Sequence, residues 1–154
     1  MGDKMLRRLA VANMFEGCVV VLLQLAVLIT LHDWVDFICI GFWGGVLMGM
    51  TGMWTLQRRP KRMITTAALS MLAGLCMVGF YSWQVSTVDC ESIISPTPDP
   101  NARKSSNWES DADLCSWRLA SDVLFIILGC LAIGNNIFLA ARASTLIGDR
   151  RGSH

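Results

Sequence analysis

The sequence is short of the residues from which active sites are assembled. His32 and His154 are its only histidines, and there is no HExxH motif, no phosphate-binding loop and no nucleophile set beside a base. An enzyme is therefore not expected. Cys18, Cys39, Cys76 and Cys130 match no four-ligand metal spacing, and the single methionines carry no second soft ligand, so neither a metal nor any other cofactor is expected. The formal net charge is +1, too small an excess to mark a nucleic-acid-binding surface. Neither Asn101 nor Asn107 is followed by Ser or Thr two positions later, and Leu6 stands where an N-myristoylation signal needs Ser or Thr. Charge is missing most visibly from four long stretches of the chain.

Those stretches are residues 9–31, 37–57, 63–85 and 119–141, in a chain that is 53% hydrophobic. A helix of about twenty apolar residues crosses a hydrocarbon core of roughly 30 Å. The pattern predicts an all-α membrane protein, a four-transmembrane-helix bundle forming one domain over residues 1–154. The first run is too long for the apolar part of a signal peptide and no small-residue cleavage site follows it, so it is expected in the mature protein. Basic residues cluster at one side of the predicted bundle: Lys4, Arg7 and Arg8 before the first run, Arg58, Arg59, Lys61 and Arg62 around Pro60, and Arg142, Arg150 and Arg151 after the last. Only Arg103, Lys104 and Arg118 fall on the other side. The bias predicts cytoplasmic N- and C-termini and an extracellular loop over 86–118 between helices 3 and 4.

The second run, FICIGFWGGVLMGMTGMWTLQ, is the expected packing spine. Gly41, Gly45 and Gly49 recur at every fourth position and stack on one helical face, which Gly52 extends by a turn. In water each glycine would weaken a helix by about 1 kcal/mol relative to Ala, but in lipid the helix persists and a face without Cβ atoms lets another backbone come close. Ser70 and Gly74 in the third run, with Ala67 a turn earlier, form a second small-residue strip that suits the glycine face. Met48, Met50, Met53, Met71 and Met77 are expected to fill gaps between these helices. Trp34, Trp43, Trp54, Trp83 and Trp117 lie toward the ends of the runs, as an aromatic belt at the membrane interfaces requires.

Polar side chains inside the runs are few. Glu16 lies about two turns inside the first, with Asn13 nearer its start and Gln24 eight positions on, near the same face. A carboxylate at that depth must avoid lipid. It could serve an ion or proton path or pair with a charged partner, or it could make an interhelical hydrogen bond or reach the basic loops. The structural alternatives weigh more, because no second acid or histidine lies at matching depth. Asn135 and Asn136 come late in the fourth run, about 100° apart around the helix, so they either form a polar patch with Glu16 or make separate interhelical hydrogen bonds. Asp122, at the outer end, is expected to reach water.

The segment 86–118 is polar, acidic and rich in turn formers, with Cys90 and Cys115 near its two ends. On the oxidising side of a membrane these two predict a disulfide, worth about 3–4 kcal/mol in the chain-entropy model.

This layout, with LLQLAVLI in the first run, GFWGG at the head of the second followed by GMTG, a basic turn and a small-residue third run, resembles the membrane-spanning four-domain family and its sarcospan-like relatives. The CCG motif of tetraspanins is absent, and the first loop is too short for a claudin signature. The resemblance covers nearly the whole chain in layout and implies a non-catalytic membrane protein that oligomerises or attaches to a larger receptor, channel or adhesion complex. The expected function is a small accessory subunit at the plasma membrane, with a larger integral membrane protein, further copies of itself and membrane lipids as partners. The alternatives are a homo-oligomeric channel or transporter using Glu16, Asn135 and Asn136, and a membrane-organising tetraspan.

Overall fold

A computed structural model describes the backbone of residues 2–30, 40–87 and 108–151 and the side chains of residues 4–30, 40–87 and 113–145. All the described residues outside the tight turn before Pro60 are helical, in four segments: α1 Gly2–Thr30, α2 Ile40–Leu56, α3 Pro60–Thr87 and α4 Trp108–Arg151. Three are long and apolar enough to cross a membrane, over Lys4–Thr30, Pro60–Thr87 and Asp113–Thr145, with mean hydropathies of 2.0, 1.9 and 2.3. Only 33%, 33% and 28% of their most apolar windows are buried inside the chain. Much of the rest of these helices, including Phe15 (71% exposed) and Leu72 (58% exposed), points away from the protein, an arrangement that suits a lipid solvent rather than water. The described part of α2 has 17 residues and spans about 26 Å.

The helices outrun the apolar stretches that define them. α1 begins within the basic N-terminal segment rather than at Leu9, and α4 runs for 44 residues, about 66 Å. The α4 extension corrects the expectation of a loop reaching to residue 118. Residues 108–118, polar and acidic and therefore read as loop, belong to the described helix. Asp122 consequently lies four turns inside α4. It is 1% exposed and 3.9 Å from the guanidinium of Arg118 one turn earlier, so it does not simply reach water.

The turn between α2 and α3 is determined locally. The N–H of Arg58 donates to Thr55 O (3.2 Å) and that of Arg59 to Trp54 O (3.2 Å), the paired bonds of a Schellman helix end. Arg58 adopts the left-handed conformation this motif needs, with φ 53°. Pro60 then opens α3, where its missing N–H costs nothing, and Arg59 O accepts from Met63 N at 3.0 Å. Arg59 and Arg62 lie over the Trp54 ring at 5.7 and 4.7 Å from its centroid, which holds two cations at the basic end of the bundle.

Each helix packs most closely on its neighbour in sequence, and α1 meets α4 along a thinner seam. The core joins Val20, Val27, Met48, Met77, Tyr81, Phe125 and Ala132, with Tyr81 and Phe125 stacked at 4.3 Å between centroids. A second cluster of Met63, Leu139 and Ala143 closes the basic end. Met48 and Met77 fill gaps as expected, whereas Met50 and Met53 face outward.

Candidate functional site

The glycine face of α2 is covered by α1, which corrects the expectation that the third helix lies against it. A Cβ built on Gly45 would stand 2.6 Å from Gly17 O and 2.7 Å from Val21, and one on Gly52 would stand 2.5 Å from Ala10 O. Gly41 would meet the Gln24 carboxamide at 2.5 Å, while Gly49 has open space around it. The α3 strip serves α4 instead: a Cβ on Gly74 would stand 3.0 Å from Gly129 O, and Ser70 accepts a hydrogen bond from Asn136. Of the α2 glycines, Gly44 faces α3, 3.4 Å from Ala73 and Met77. Gly17 and Gly129 are packing residues that the sequence reading missed, because neither belongs to an every-fourth-residue glycine row in its own run and each acquires meaning only opposite a glycine of another helix.

The closely packed helices enclose two polar layers. Toward the basic end, Asn13 donates to Met48 O at 2.9 Å and faces Asn136, the two carboxamides exchanging long bonds of 3.5 and 3.4 Å. Asn136 also donates to Ser70 Oγ (3.0 Å) and to Ala132 O (2.8 Å). All four helices therefore contribute to a layer about 8–12 Å inside the basic residues, measured by helical rise. Asn13, Ser70 and Asn136 are fully buried. Such a layer closes the centre of one bundle instead of opening it. Toward the other end, Gln24 Oε1 accepts from Gly41 N (3.2 Å), in the first described turn of α2, and from the Tyr81 hydroxyl (3.1 Å).

The second layer yields a graded expectation. Tyr81→Phe removes one donor and keeps the stacked ring, and should cost under about 1 kcal/mol, whereas Gln24→Leu removes the shared acceptor of both bonds at once and should cost about 2 kcal/mol. Unfolding in mixed micelles measures both, and equal losses would show that Gln24 does not organise the layer.

Glu16 and Asn135 stand apart from these layers on the thin α1–α4 seam. Asn135 Nδ2 donates to Glu16 Oε2 at 2.9 Å. The other oxygen, Oε1, is buried with no hydrogen-bond partner among the described residues, in a residue only 7% exposed. Both sequence alternatives for the asparagines are thus realised, Asn135 joining Glu16 and Asn136 joining a separate network. Ala12 and Val19 lie a turn either side of Glu16, and Leu131 and Phe138 a turn either side of Asn135, so an apolar strip surrounds the pair.

Cys18, Cys76 and Cys130 are free thiols, with Cys18 and Cys130 facing outward instead of filling the core. Cys115 is buried, while its expected partner Cys90, Cys39 and the His32–Asp36 turn with Trp34 lie outside the described residues. Trp43, Trp83 and Trp117 are exposed, and Trp117 Nε1 donates to Thr30 Oγ1 at 3.2 Å, tying the outer ends of α4 and α1. No group of three or more potential metal ligands occurs among the described residues. No family model, curated protein or solved structure matches the chain.

Proposed function

We propose that the chain is a non-catalytic, multi-pass membrane protein that serves as a small accessory subunit. On this reading α2 is a fourth membrane span, both termini are cytoplasmic, and a Cys90–Cys115 disulfide ties the outer segment, at the plasma membrane. The observation that carries the proposal is Glu16 Oε1. A buried carboxylate oxygen without a partner is costly in an apolar medium, and this one lies at the thinnest seam of the bundle beneath an apolar strip. A transmembrane helix of a larger complex bearing a hydrogen-bond donor would cover Phe138 and Leu131 and, with the Glu16 side chain turned toward the strip, satisfy the oxygen. The glycine face, already filled by α1, is not the docking surface in this proposal.

Extraction from the native membrane in mild detergent, with mass measurement and identification of every chain, tests it. A large particle containing other subunits is expected, and Glu16→Leu should lower the recovery of those subunits roughly tenfold, the loss of a desolvated interaction of about 1.4 kcal/mol. A particle built of this chain alone would sink the accessory role. It would favour the alternative of a homo-oligomeric channel or transporter, whose polar path, given the closed Asn13–Asn136 layer, would run between copies past Glu16 and Asn135.

A further inference from the structure

At its basic end the bundle carries a second feature, independent of Glu16. Lys4, Arg7 and Arg58 line one cleft of about 620 Å³ together with Leu6, Val11, Thr55 and Leu56. Next to these residues in sequence, Ala10 and Gly52 approach closely, where α1 and α2 come almost into backbone contact. Beyond that contact α1 continues as helix for two more turns, which brings its cations over the end of α2. The cleft therefore has a cationic rim and apolar walls, with Val11 and Leu56 exposed along the outside of the bundle.

The conformation of Arg58 adds an observation of a different kind. With φ 53° it occupies the helix-ending position that glycine fills at least cost. An arginine there sacrifices backbone ease, and such a departure points to a use for the side chain. That side chain is on the cleft wall opposite Lys4 and Arg7.

We propose that this cleft binds one anionic glycerophospholipid from the leaflet at the basic end. Lys4, Arg7 and Arg58 hold the headgroup phosphate, and an acyl chain follows Val11 and Leu56 toward the bilayer centre. The chemistry is complementary on both counts. Guanidinium and ammonium groups take phosphate oxygens in charge-assisted hydrogen bonds, and the apolar walls begin within a turn of them. The proposal rests on the membrane reading and on the basic end facing an anionic leaflet, but not on an accessory role.

The test uses the full chain in phosphatidylcholine nanodiscs, titrated with phosphatidylserine or a phosphatidylinositol phosphate and read by native mass spectrometry. Wild type should retain one anionic lipid per chain in preference to phosphatidylcholine. Arg58→Gly is the decisive variant, because it removes the guanidinium while relaxing the backbone, so that lost binding cannot be attributed to lost folding. It should weaken retention about fivefold, and Lys4→Gln with Arg7→Gln should weaken it about twenty-five-fold, following roughly 1 kcal/mol for each cation near a charged surface. Arg142→Gln, at the same end but outside the cleft, should retain lipid as wild type does. Equal retention by wild type and Arg58→Gly, or an equal loss in Arg142→Gln, overturns the site. Inorganic phosphate that displaces the lipid completely at millimolar concentration also overturns it, since the acyl chain would then contribute nothing. Failure of the chain to enter the nanodisc, or its release by alkaline carbonate, overturns the membrane reading itself.

Discussion

Gly45→Leu should abolish the paired arrangement of α1 and α2 and leave little monodisperse protein after detergent extraction. A Cβ at this position already stands 2.6 Å from the Gly17 carbonyl oxygen and 3.3 Å from Val21 N, and backbone atoms cannot rotate aside as a side-chain terminus can. The leucine branch must then push the helices apart along their length, detaching Ala10 from Gly52 and Asn13 from Met48 O. Overpacking a closed core costs about 1–3 kcal/mol where side chains alone must shift. Here the cost should exceed about 3 kcal/mol, lowering the apparent Tm by roughly 10 °C or more. Gly49→Ala is the matched control, since nothing lies within 4 Å of its Cβ, and it should change Tm by no more than a degree or two, a few tenths of a kcal/mol. A folded Gly45→Leu protein with normal Tm would mean that α1 does not cover this face.

Asn136→Leu should be among the most damaging substitutions of a polar residue in the bundle. Its carboxamide is shared among Asn13, Ser70 and Ala132 O, so leucine strands one hydroxyl and half of another carboxamide in a layer without exposure. Interhelical hydrogen bonds in membranes average about 0.6 kcal/mol, with a maximum near 1.7. Stranded groups raise the cost of removing one partner, and about 2 kcal/mol is expected. The double variant with Asn13→Leu should cost about 1 kcal/mol less than the two single losses together, because each single change already breaks the shared contact. Unfolding in mixed micelles gives all three values, and simple additivity would show that the two asparagines do not act as one layer.

Much of the fold was legible because apolar length acts through the solvent and needs no tertiary information. The runs around α1, α3 and α4 are visible as twenty-residue stretches, since lipid leaves a backbone no alternative to helix. The helix ends were less legible. Residues 108–118 look like loop when counted by polarity, whereas the structure has them in α4. Asp122 was misplaced for the same reason, its environment depending on where α4 begins.

The candidate site divides in the same way. That Glu16, Gln24, Asn135 and Asn136 turn away from lipid follows from the cost of exposing them there, and periodicity puts Glu16 and Gln24 near one face. Partnership does not follow. Asn13 received little weight beside Glu16, yet it bonds the α2 backbone and faces Asn136, whereas Glu16 holds one bond and an open oxygen.

By itself the sequence determined that the chain is helical, that three of its helices suit a membrane, and where its small and polar residues recur along each of them. These are properties of one helix in a solvent, set by side-chain transfer energy and the 3.6-residue period. Only the tertiary structure decided that the α2 glycines receive α1 and that the α3 strip receives α4. It also decided that Asn136 closes the centre of the bundle while Glu16 sits on a seam. Small-residue faces are chemically alike, and which two meet depends on the rotation, register and neighbours of all the helices at once.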